Sequence, residues 1–201
     1  GDQVSAGVVI AELNTANLSA ALEQAKANLS IAKANLAVLT AGTRPEQLAI
    51  DRSAVAQDQI ALANAITSAY AVSDAAIHTN ADQFFTNPRT ANAELTFIVP
   101  DAELANVIVE ERVALEPMLA TWSAQISSPS FSSSDPLAAA AQAAEHLAQI
   151  GVFLNNVASA LTKAQPSVGL SAATIDDYKS NIATARTNIA STLTTLTSAK
   201  T

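Results

Sequence analysis

Between residues 18 and 39 the apolar positions fall at Leu18, Leu22, Ala25, Leu29, Ala32, Leu36 and Leu39. Their steps are 4-3-4-3-4-3, a coiled-coil seam that keeps one helix face turned toward a partner along its whole length. A half-buried strand would instead alternate at every second residue. Similar 3-4 stepping returns in four later segments, so the expected fold class is predominantly all-α. Aromatic residues make up only 4% of the chain. A chain rich in alanine and poor in aromatics builds thin, closely packed helical layers rather than a broad aromatic core.

Five helical segments can be placed. The first covers about residues 15–40 and breaks at Ala41-Gly42. Thr43-Arg44-Pro45-Glu46 then reads as a capping box with proline tolerated in the first turn. The residues alone leave open whether 41–45 is a kink or a hairpin reversal. The second segment spans about residues 45–85, with Leu48, Val55, Leu62, Ile66 and Ala69 on one stripe, and Asn87-Pro88 ends it. Leu95 to Val99 reads as too short for a sheet of its own. The third starts at Pro100-Asp101, places Leu104, Ile108, Leu115, Leu119, Trp122 and Ile126 on one face, and should bend at Pro117.

A serine-rich linker at 127–134 is the clearest loop. Asp135-Pro136 supplies an N-cap and an N1 proline for the fourth segment, which carries small residues at Ala140, Ala144, Gly151 and Ala158 that permit close helix approach. The fifth opens at Ser171, flanked by Leu170 and Ile175 as a hydrophobic staple. The expected architecture is a long coiled-coil helix leading into an antiparallel four-helix bundle. A short Gly-punctuated β segment precedes it at residues 1–14, read from Gly1, Asp2, Val4, Gly7, Ile10 and Leu13.

That opening resembles the lipoyl-like half-motif G-D-x-V-x-x-G-x-x-I-x-x-L of the membrane fusion protein family, the haemolysin-D-type periplasmic adaptors. Ala41-Gly42-Thr43-Arg44-Pro45-Glu46-Gln47-Leu48 is similar to a phrase that interrupts a hairpin leg in some members. The resemblance covers about residues 1–66. It implies three parts: half of a lipoyl-like β motif at 1–14, a coiled-coil hairpin leg at 15–66, and an inserted helical bundle at 67–201. It further implies a periplasmic, non-catalytic subunit anchored to the inner membrane, linking an inner-membrane transporter to an outer-membrane channel in efflux or secretion. The descending leg and second β half-motif are then expected beyond residue 201, and an anchor or leader upstream of Gly1. No Arg-Leu-Ser tip motif of the kind known in some members is present.

Composition excludes several other classes. The net charge is −8, and the ten basic residues are scattered singly, so no stripe exists to neutralise phosphates and nucleic acid is not an expected partner. Without cysteine there is neither a disulfide nor a thiolate metal site. No run approaches the ~20 consecutive apolar residues of a membrane span. Five glycines leave little room for a phosphate-cradling loop, and no serine has a His/Asp constellation around it. Lys26 and Lys33 lie on the helix rather than at a β-turn, so no carrier lysine is expected. Neither an enzymatic activity nor a cofactor is expected.

His78 and His146 sit on different helices, with Asp74 at i−4 of the first and Glu145 at i−1 of the second. They lack the paired Glu-x-x-His of a di-iron bundle, and a surface or cap-like role is expected for both. Glu110-Glu111-Arg112 reads as a solvated face, although Glu111 falls between Ile108 and Leu115 and needs Arg112 or a neighbouring helix to satisfy it. The aromatic residues, Trp122 and Phe153 among them, are expected in the core. The expected interaction site is the seam Leu18, Leu22, Leu29, Leu36 and Leu39, through which the leg self-associates. A rival function is a ligand-sensing periplasmic four-helix-bundle domain of a bacterial receptor, which would have a membrane span before its first helix.

Overall fold

A computed structural model describes residues 1, 3–42, 44–129, 131, 135–167 and 170–200. The protein is predominantly helical, at 77% helix. It divides into two compact units, Gly1–Ser53 and Ala54–Thr201.

In the first unit, residues 1–15 form no strand among those described, which corrects the expected β segment. They contain one turn, closed by the Val8 amide donating to the Ser5 carbonyl at 3.2 Å. Gly7 sits in it at φ 96°, where a side chain would be strained. Asp2 of the half-motif lies outside the described residues. A strand needs a neighbour to take up its backbone groups, and these residues have none within the chain.

Helix α1 (Ala16–Ala41) follows. Asn14 Oδ1 accepts from the Ala16 amide at 3.1 Å at its start. Gly42, at φ 66°, ends it. The Thr43 capping box lies outside the described residues. Helix α2 (Pro45–Asp74) opens with proline in its first turn, and the Leu48 amide donates to the Arg44 carbonyl at 3.1 Å. None of α1 is buried, and residues 45–53 are likewise exposed.

In the second unit the later half of α2 buries Leu62, Ile66, Ala69 and Ser73. The helical path continues as a π-helical turn, Ala75–Ala81, and a 3₁₀ turn, Asp82–Phe84. Phe85–Thr86 (β1) then pairs antiparallel with Glu94–Leu95 (β2). This two-residue ribbon corrects the expectation of a plain loop. It is pinned by Thr96, whose amide and hydroxyl both donate to the Phe84 carbonyl, at 2.8 and 3.0 Å.

Three helices complete the unit: α3 (Ala102–Ile126), α4 (Pro136–Lys163) and α5 (Ala172–Ala199). Each has a side-chain cap. Asp101 accepts from the Leu104 amide, Asp135 from those of Leu137 and Ala138, and Ser171 from that of Thr174. The Leu104 amide holds the Asp101 carboxyl below its usual range. Leu170 and Ile175 are both buried, as a staple requires. The α3 helix continues through Pro117. Ser130 and residues 132–134 of the serine linker lie outside the described residues.

Helix α4 is the centre of this unit, packed against α3 on one side and α5 on the other. It buries Ala140, Ala143, Leu147, Ile150, Phe153, Leu154, Val157, Ala160 and Leu161. Cross-links run antiparallel along each pair. Asn156 donates to Glu111, Lys163 pairs with Asp101 at 3.5 Å, and Arg186 donates to Asn155 at 2.7 Å. Aromatic edges tie in the rest: Tyr70 meets Trp122 at 5.6 Å between centroids, and Phe84 meets Tyr178 at 4.7 Å.

A stretch within Ala16–Phe84 is, by length and composition alone, apolar enough to cross a membrane, although it holds no uninterrupted run of about 20 apolar residues. A third of that stretch is buried in the protein's own core.

Gly151 turns out not to be needed for close approach. A Cβ there would meet Ile189 Cγ2 at 4.0 Å, ordinary van der Waals contact. Gly151→Ala should therefore raise the unfolding free energy by about 0.5–1 kcal/mol through helix propensity and unfolded-state entropy, read as a higher urea midpoint.

Candidate functional site

Two features could carry function, one in each unit. The first is the leucine seam of α1. Leu18, Leu22, Leu29, Leu36 and Leu39 are 74, 55, 55, 59 and 79% exposed. Over 26 residues the helix buries no side chain at all. Its internal polar contacts are local, such as Lys26 to Glu23 at 2.8 Å and Gln24 to Asn28 at 3.2 Å. Surface pairs of this kind stabilise a helix by only about 0.2–0.5 kcal/mol each. Most helix stability in proteins comes from packing of an apolar face, and this face has no cover among the described residues of its own unit.

The second feature is a charged cluster where α2 gives way to its π-helical turn. The last α2 residue, Asp74, places Oδ1 2.7 Å from His78 Nδ1 and 3.4 Å from the Tyr70 hydroxyl. His78 Nε2 lies 3.2 Å from Glu116 Oε2 on α3. The same carboxylate oxygen accepts from Arg112 Nη2 at 2.9 Å. Arg112 Nε donates to Asp82 Oδ1 at 2.8 Å, and Arg89 Nε to Asp82 Oδ2 at 3.2 Å. The i, i+4, i+8 spacing puts Asp74, His78 and Asp82 on one side, from which His78 and Asp82 reach α3. Such turns are rare and often mark a functional constraint.

Asp74, Asp82 and Glu116 are gathered around Arg89, Arg112 and His78. Both ring nitrogens of His78 meet carboxylate oxygens, of Asp74 on one side and Glu116 on the other. Burial works against ionisation of Glu116, but the hydrogen bonds from Arg112 and His78 outweigh it and hold the carboxyl below its usual range. Arg112 is fully buried, and its Nη1 has no partner. That corrects the reading of Arg112 as part of a solvated face, whereas Glu110 is exposed. Arg112 turns inward to neutralise Asp82 and Glu116, while Glu111 is met from α4 by Asn156 Nδ2, at 2.9 and 3.0 Å.

Neither histidine has a surface or cap-like role. His78 is held in the cluster, and His146 leans on Trp122 with centroids 5.1 Å apart. Burial lowers the proton affinity of His146 and nearby Glu145 raises it, with burial prevailing. Among the described residues no group of three or more His, Asp or Glu side chains is arranged to hold a metal ion. Arg112, paired with Asp82 at the end of the π-helical turn and with Glu116 on α3, ties the two elements together as a cross-brace. The sequence signal that could have found it is the titratable i, i+4, i+8 series Asp74, His78, Asp82, together with the i, i+4 pair Arg112, Glu116.

No family model, curated protein or solved structure matches this chain.

Removing one partner of a buried ion pair leaves the others uncompensated, so Arg112→Met should cost about 3 kcal/mol in unfolding free energy. The pH dependence carries a second test. His146 binds a proton less readily folded than unfolded, so stability should fall as pH drops through about 6.5 and His146→Phe should flatten that part of the curve. Urea midpoints across that range check the sign.

Proposed function

We propose that this chain is part of a non-catalytic periplasmic adaptor subunit, bridging an inner-membrane transporter and an outer-membrane channel in efflux or secretion. The observation that carries the reading is the bare leucine seam: a 26-residue helix with no buried residue and five leucines more than half exposed. An apolar stripe of that regularity is an association site. In this reading α1 is a coiled-coil leg that supplies length, about 39 Å at 1.5 Å per residue. The second unit is an antiparallel four-helix bundle inserted distally, braced by the Arg112 cluster, and offers its surface to a partner. The likeness of Gly1, Val4, Gly7, Ile10 and Leu13 to a lipoyl half-motif supports the adaptor assignment over a generic rod.

The charge balance fits the same role. Within α1 only Glu23, Lys26 and Lys33 are charged, while the whole chain carries −8. Copies therefore meet along their legs without repulsion, while the acidic remainder keeps other surfaces apart.

Sedimentation velocity should show the chain associating at micromolar concentration, with Leu22→Lys combined with Leu29→Lys returning it to monomer at unchanged fold of the second unit. A wild-type chain that stays monomeric with a helical α1 contradicts the self-association. In cells, a photo-crosslinking residue at position 39 should capture the same subunit or a transporter component. Capture of a signalling kinase would favour the receptor reading instead.

A further inference from the structure

We draw no further inference here: the strongest candidate, the apolar groove where α2 meets the start of α4 and the end of α5, lined by Val55, Asp58, Leu62, Leu137 and Lys200, lies open with charges of both signs among its walls, and nothing in the structure shows what covers it.

Discussion

A helix in water needs a covered face, and α1 has no cover among the described residues of its own unit. Nucleating a helix is costly, and local side-chain pairs return little of that cost. The pairs available to α1, Lys26 with Glu23 and Gln24 with Asn28, are exposed and few. Its leucines stand in solvent. In the proposed reading, association is therefore part of the folding of α1 rather than an addition to it.

The second unit answers the same constraint internally. Helix α4 is covered on opposite sides by α3 and α5, so it buries small residues such as Ala140 and Ala160 alongside Leu147 and Phe153. The one expensive choice is Arg112, a charge taken wholly out of water. Asp82 and Glu116 neutralise it, and His78 joins Glu116 to Asp74. Apolar side chains of similar volume could fill that space at no loss of stability. What the ions add is a fixed relation between the π-helical turn and α3, because a slip of either element would leave buried charge unpaired.

Much of the helical content was legible in the residues. Asp135-Pro136, Asp101 and Ser171 mark helix starts because short polar side chains can take up free amides, and each does so. The Leu170–Ile175 staple follows from the same logic. The π-helical turn was not legible, since its residues, Ala75 to Ala81, follow directly on α2 with no glycine or proline to mark a change. Nor was the burial of Arg112: a lone arginine next to two glutamates reads as surface until a carboxylate thirty residues upstream is brought against it. The β ribbon escaped for a similar reason, since two-residue strands carry no period. The exposure of the leucine seam could be suspected from its regularity, but its cover cannot be read from a single chain.

Hydrogen exchange of the α1 amides as a function of protein concentration tests the central claim most directly. If the helix is stabilised by copies packing on its faces, protection between residues 20 and 41 should rise steadily with concentration, while protection in α4 stays constant. Protection of α1 that is strong and independent of concentration would show that the helix stands without a partner and contradict the account.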